Sequence, residues 1–208
     1  MYHRIAEASI DPWQLAVSPA NFEQHLQVLE NRFPFIATSR LVSWLQSKSK
    51  LSNKSVCLTF DDGYSDNFIC AKPLLEKYEC PGTFFIPSAF IEQRQYIGSD
   101  ELITLLLSAA KLPASLLLHI NQELFSFELG PDSTLTDGQR EKQKYWVGTD
   151  EPPNRRCHLY LALRERLKPM SFGAQQKVLQ EIREWTCSSY PMQDKRDSGL
   201  ATKNRTKG

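Results

Sequence analysis

The chain of 208 residues has little that marks a specialised class. It lacks a long apolar run. The nearest, ELITLLLSAAKL, falls short of the roughly 20 residues a membrane span needs and suits an amphipathic helix better. It lacks a cysteine pair: Cys57, Cys70, Cys80, Cys157 and Cys187 are odd in number and irregularly spaced, with no CxxC. That excludes a zinc knuckle or redox motif and suits reduced thiols, with Cys57 as a core residue. It lacks a charge excess, the formal net charge being +1, so attraction to nucleic acid or a membrane surface does not follow from charge. The opening MYHRIAEASI has no apolar signal-peptide core, which predicts a cytoplasmic chain. There is no internal repeat and no Gly-rich phosphate loop.

What charge asymmetry exists is terminal. From Lys195 onward five basic residues face one acid, leaving 20 basic and 23 acidic residues, a net of −3, in the rest. Residues 191–208 are expected to be a disordered basic tail.

The remainder reads as alternating elements. In SPANFEQHLQVLENRF, Ser18 is an N-cap, Pro19 fits the first helical position, and Phe22, Leu26 and Leu29 form one face. His25 beside that face is expected to be a satisfied, semi-buried side chain. SRLVSWLQSK is a second helix capped by Ser39, and KSKLSNK a loop. SVCLTF is nearly continuous in its apolar character, as expected of a parallel-sheet strand buried on both faces. NFICAKPLLEKYE reads as a helix with a kink or new start at Pro73. CPGTFFIP is a second buried strand, so residues 55–87 make a βαβ unit.

Beyond Pro87 the pattern changes. SDELITLLLSAAKL is a helix capped by Ser99. ASLLLHINQELFSFELG is a hairpin turning near Asn121 to Glu123, with His119 structural. PDSTLTDGQREKQKYWVGTDEPPN is polar and turn-rich, a surface loop. Two further helices are RRCHLYLALRERLKPM and SFGAQQKVLQEIREWTC, the second with Val178, Leu179, Ile182 and Trp185 as its apolar stripe.

Chemistry concentrates in SVCLTFDDGYSDNF. Asp61 and Asp62 leave the carboxyl end of a buried strand, where parallel α/β folds place functional groups. Adjacent residues leaving a strand point in different directions, so the two acids suit different tasks. Gly63 permits a tight turn or a close approach of backbone. On spacing alone, an Asp-Gly turn with a capping carboxylate is an equally physical reading.

The wider string resembles the polysaccharide deacetylase family, the nodulation-protein-B homology domain. TFDDG matches its first motif. MYHRI is similar to its first strand, and LTFDDGYSDNFICAKPLLEKYECPGTFFIPSAFI to its core βαβ unit. The resemblance implies an α/β fold: the first part of a distorted (β/α) barrel over residues 1–87, then a mixed α+β insertion over 88–190, with the barrel incomplete. It implies metal-dependent removal of N-acetyl groups from an acetylated amino-sugar polymer or oligosaccharide, with no nucleic-acid partner. Asp61 would be the general base and Asp62 a ligand to a divalent metal, zinc foremost. Such an ion lowers the pKa of its water to about 7 and stabilises the oxyanion. His3, near the end of the first strand, is a candidate for substrate contact.

A catalytic zinc takes three protein ligands, and the family draws two from a His-x-x-x-His-Pro motif that does not occur here. The histidines are His3, His25, His119 and His158, no two of them three to five residues apart. Three readings result, in this order: a truncated deacetylase retaining half its apparatus, a non-catalytic carbohydrate-binding or interaction module, and an active hydrolase completed by a second chain or by unexpected ligands. The first predicts an open sheet edge with exposed apolar surface.

Overall fold

The structure, a computed structural model, describes residues 1–47, 54–88 and 98–188. The expected loop KSKLSNK, apart from Lys54, and the expected basic tail at 191–208 lie outside the described residues. Contacts divide the chain into two units. The first comprises residues 1–100 and 137–153, the second 101–136 and 154–208.

The first unit is α/β. Strand β1 (Arg4–Ile5) pairs in parallel with β2 (Ala16–Val17). Helix α1 (Pro19–Glu30) starts as its sequence predicts: the Ser18 side chain accepts from the Asn21 amide, and Pro19 occupies the first turn. Next comes helix α2 (Thr38–Ser47), with Ser39 inside the helix rather than capping it. Strand β3 (Leu58–Phe60) pairs in parallel with β4 (Gly82–Phe84) in the register Leu58–Gly82, Thr59–Thr83, Phe60–Phe84. An isolated parallel bridge from Tyr2 to Phe60 sets the chain's start against β3.

The segment joining β3 to β4 is helical, as read, but in two pieces. Asn67–Ala71 is a π-helical stretch, and helix α3 (Lys72–Lys77) begins after it with Pro73 in its first turn. Proline has no N–H and its ring clashes with the preceding turn, so it is accommodated as a new start.

The apolar faces meet in one cluster: Ile5, Phe22, Leu26, Leu58, Phe60, Ala71, Leu75 and Cys80 are buried together. Phe60 is fully buried and contacts three rings, stacking on Phe84 at 4.8 Å and on Tyr2 at 5.7 Å and meeting Phe22 edge-on at 5.9 Å. Gly82 lets β4 lie close to this core, since a Cβ there would stand 2.9 Å from Leu75 Cδ1. Cys57, expected in the core, is only half-buried; its sulfur sits 3.0 Å from Thr38 Oγ1, which also bonds Thr83 Oγ1 at 2.6 Å. A polar pocket under the start of α2 takes the place of apolar packing. Beyond β4 the side chains turn outward: Phe85 is 53% exposed and Ile86 59%.

The polar segment expected to be a surface loop is partly helical. A 3-10 turn (Gly130–Ser133) falls in the second unit, and helix α5 (Asp137–Lys144) in the first. Helix α5 has no apolar stripe, which hid it from a reading by periodicity. Asp137 in its first turn and Lys142 and Lys144 in its last complement the helix dipole. Its anchor lies just beyond its end: the Gly148 amide donates to Pro12 O at 2.7 Å, and the Trp13 ring covers Gly148 so closely that a Cβ there would meet it at 2.9 Å.

The second unit begins with helix α4 (Gly98–Leu102), which straddles the division, and a π-helical stretch (Ile103–Ser108). Ser99 lies inside α4, not at its cap. The predicted hairpin forms: β5 (Ser115–Ile120) pairs antiparallel with β6 (Glu123–Glu128). Its two-residue turn, Asn121 and Gln122, has φ of 51° and 68°, the primed-turn geometry that matches strand twist. Leu116, Leu118, Ile120 and Phe125 face inward, while Leu117 and Leu124 face out. Helices α6 (Arg155–Leu167) and α7 (Phe172–Cys187) bury Leu159, Tyr160, Leu163, Val178, Leu179 and Ile182. Trp185, placed on the apolar stripe, is half-buried instead, because its indole N–H donates to Ser115 O at 2.7 Å. No described helix is long and apolar enough to cross a membrane.

One buried charge organises this unit. Arg156 is fully buried and donates to backbone carbonyls of Asp132, Leu106, Ala109, Ala110 and Ser133. It thereby satisfies carbonyls at the end of the π-helical stretch and in the 3-10 turn that have no helical partner. Arg156→Leu, which removes these donations while Ser133 O and Ala110 O keep the Leu112 and Leu135 amides, is expected to destabilise the second unit by about 3 kcal/mol. Urea unfolding followed by the near-ultraviolet signal checks it.

Candidate functional site

Residues just past the carboxyl end of β3 form the candidate site. The Asp61 amide donates to Tyr2 O at 3.0 Å, and the Tyr2 amide donates to Thr59 O at 2.8 Å. The chain's first residues thus hold β3 up to the acid itself. After Asp61 the backbone turns left-handed twice, at Asp62 (φ 67°) and Gly63 (φ 66°). Glycine adopts this freely, but an aspartate there is strained by about 1 kcal/mol. Above the turn lies the exit of β4, with Ile86 Cγ2 3.1 Å from where a Gly63 Cβ would stand.

Asp61, Asp62, Phe85, Ile86 and Pro87 line an open cleft of about 530 Å³. Both sequence-predicted acids are therefore together at one opening, and both are half-buried. Its other wall is apolar and comes from the segment read only as the end of the second strand. His3 does not line this cleft. Its carbonyl accepts from Asn67 Nδ2 at 3.0 Å, which ties the first strand to the π-helical stretch. The other histidines stand elsewhere. His25 is exposed, not semi-buried, with Nδ1 3.1 Å from the Tyr2 hydroxyl. His119 pairs with Leu124 across the hairpin and, like His158, is exposed.

The surroundings of the turn include residues that no sequence pattern singled out. Asp66 accepts from the Ile5 amide at 3.0 Å and from Arg4 Nε at 3.0 Å. The Arg4 guanidinium also lies over the Tyr64 ring at 4.8 Å. The Tyr64 hydroxyl bonds the Asp100 carboxylate. Burial pushes the Tyr64 phenol far above its ordinary range, and the Asp100 and Asp62 carboxylates add to this. Burial likewise raises the Asp100 carboxyl, against the bond from Tyr64 and the charge of Arg4, which lower it; Asp11 and Asp62 raise it further. Asp11 is itself engaged, accepting from the Leu15 and Ala16 amides. DDGYSDN did carry a signal for Asp66, a third acid in a short polar run. Arg4 and Asp100 had none, since their roles depend on partners far away in sequence.

Two carboxylates do not make the metal site the resemblance implies. Among the described residues, no group of three His, Cys, Asp or Glu side chains is placed to hold an ion. Asp62 remains a single candidate donor, and the donors present do not fit a resident zinc, which takes three.

Comparison with known proteins locates the resemblance. Residues 48–112 match the family described as polysaccharide deacetylase. YxkH of Bacillus subtilis (strain 168), whose name places it among polysaccharide deacetylases, is 31% identical over 103 residues, which are 49% of this chain and 36% of that protein. The chain thus spans about a third of that relative's length. Among solved structures, the Streptococcus pyogenes deacetylase PplD in complex with acetate is similar over 90% of this chain and 66% of its own, at 19% identity and a TM-score of 0.40. A de-N-acetylase from Aggregatibacter actinomycetemcomitans is similar over 70% of this chain and 50% of its own, at 19% identity and a TM-score of 0.36.

The left-handed turn gives a prediction about stability alone. Gly63→Ala is expected to cost about 1–2 kcal/mol, from a positive φ and from contact with Ile86. Asp62→Gly should leave stability unchanged or raise it by up to about 1 kcal/mol, because it relieves the strained φ while removing the carboxylate. Thermal melts of the two variants side by side test the pair. Equal destabilisation by both would contradict it.

Proposed function

We propose, from the match of residues 48–112 to the polysaccharide deacetylase family, that this chain supplies the proton-accepting part of a site that hydrolyses N-acetyl groups on an amino-sugar polymer or oligosaccharide. The supporting observation is the cleft in which Asp61 and Asp62 face the apolar wall of Phe85, Ile86 and Pro87 at the carboxyl end of parallel strands. In this reading β1 to β4 are the first part of a distorted (β/α) barrel.

The chemistry asked of the site is attack of water on an acetamide carbonyl. Asp61 takes a proton from that water as the carbon–oxygen bond forms. The carbon–nitrogen bond then breaks as the nitrogen takes the proton held by Asp61, and acetate and a free amine leave. Asp61 suits the base because β3 and the Tyr2 carbonyl fix its backbone, so the carboxylate is presented in one direction. The apolar wall suits the acetyl methyl and limits water on that side. Asp62 beside it is the carboxylate proposed for a divalent metal, zinc foremost; among the described residues the donors do not complete that site.

A second reading has its own observation. Phe85 is 53% exposed beside two carboxylates, an aromatic face next to acceptors, which is also what a non-catalytic carbohydrate-binding surface presents.

Acetate release from an N-acetylglucosamine oligomer, measured together with calorimetric binding of the same oligomer, separates the two. The hydrolase reading expects slow release by the chain, impaired because the His-x-x-x-His motif is absent, and reduced about 10²–10⁴-fold further in Asp61→Asn. Binding by both proteins with no acetate from either would establish the binding module in its place.

A further inference from the structure

We propose that Arg4 and Tyr64 are positioning residues that brace the Asp61–Asp62–Gly63 turn from the first strand. The proposal rests on the hydrolase reading only in taking Asp61 and Asp62 as the groups that face substrate. Its geometry stands on contacts within the first unit.

The turn has two ends, and the start of the chain grips both. On the entry side the Tyr2 carbonyl accepts from the Asp61 amide at 3.0 Å. On the exit side the guanidinium of Arg4 makes two contacts. Its Nε donates to Asp66 at 3.0 Å, and its plane covers the Tyr64 ring at 4.8 Å. Ile5 beside it donates its amide to the other Asp66 oxygen at 3.0 Å. Tyr64 directly follows Gly63. Its ring is held under Arg4 and its hydroxyl by Asp100, so it cannot swing without breaking both contacts. The Asp66 side chain is 14% exposed and that of Arg4 33%, so the pair is partly desolvated.

Such bracing answers a specific need. Asp62 and Gly63 are two successive left-handed residues, an Asp-Gly turn whose direction is set by the groups that hold its flanks. Ile86 closes the turn from above at Gly63. Asp62, the strained residue, depends on its two flanks. Asp61 is fixed by Tyr2, and the Tyr64 side is fixed by Arg4. Lysine could keep the charge opposite Asp66, but it has no plane to lay on the Tyr64 ring.

The experiment reads the turn itself in the full chain, labelled with nitrogen-15. A residue with positive φ gives a strong intraresidue amide-to-α-proton Overhauser effect, so Asp62 should show one in the wild type. Arg4→Met is expected to lower it several-fold, and Arg4→Lys, which restores the Asp66 pair but not the stacked plane, to recover it only in part. Leu26→Ala, a core truncation away from the turn, is expected to lower the melting temperature and leave the Asp62 signal unchanged. An unchanged signal in Arg4→Met, or in Arg4→Lys if the methionine variant does not fold, overturns the proposal. A signal lost equally in Leu26→Ala also overturns it, because the turn would then follow global stability. The readout needs no turnover: absence of acetate release would count against the hydrolase reading and leave the brace to be judged by Asp62 alone.

Discussion

Burial of Phe60 is the constraint on which the site depends. Its ring is fully enclosed, touching Tyr2, Phe22 and Phe84, and its carbonyl accepts from the Phe85 amide at 2.8 Å. Strand side chains alternate, so a Phe60 committed to the core commits Asp61 to the opposite direction. A one-residue slip would bury a carboxylate and expose a phenylalanine, each costing several kcal/mol. The hydrophobic core therefore sets the direction of the proposed base. The same ring stack holds Phe84 in register, and that register carries Phe85 and Ile86 to the far wall of the cleft. Core and cleft are two faces of one pairing.

Around that pairing the charged groups are partnered. Arg4 engages Asp66 directly and lies near Asp100. The half-buried Asp100 carboxylate is met by the Tyr64 hydroxyl, a donor that stays protonated because its own ionisation is opposed by burial and by its acidic neighbours. The ion pair Lys77–Glu23 is different in kind. Its lysine side chain is 59% exposed and it joins α3 to α1 at the surface, where screening leaves such a pair little weight.

Local rules carried the sequence reading far. The Ser18 cap, the parallel βαβ unit, the restart at Pro73 and the hairpin turn at Asn121 and Gln122 all arise from short-range chemistry: a hydroxyl at a helix start, apolar runs, a missing N–H, residues tolerant of positive φ. Two kinds of feature escaped. Helix α5 is polar on every side and is placed by the packing of Gly148 under Trp13 just beyond its end, not by a stripe of its own. Arg4, Asp100 and Arg156 act through partners distant in the chain, and no periodicity marks a residue whose role is to satisfy remote backbone or side chains. The acids of the candidate site were legible because they interrupt an apolar strand. The side chains that hold them were not, because they lie in ordinary polar surroundings until the chain folds.

The competing account of DDG is a plain chain reversal with a capping carboxylate. The backbone suits that account, since Asp62 and Gly63 are both left-handed and Asp-Gly is a dipeptide such turns favour. The carboxylates weigh against it. Capping carboxylates do occur in this unit, and they look different: Asp11 accepts from two backbone amides, at 3.1 and 2.7 Å, and Asp66 accepts from the Ile5 amide and from Arg4. Those acids offset their desolvation locally. Asp62 lines the cleft instead. Its carboxylate is better explained by what it meets in that cleft than by the turn it occupies.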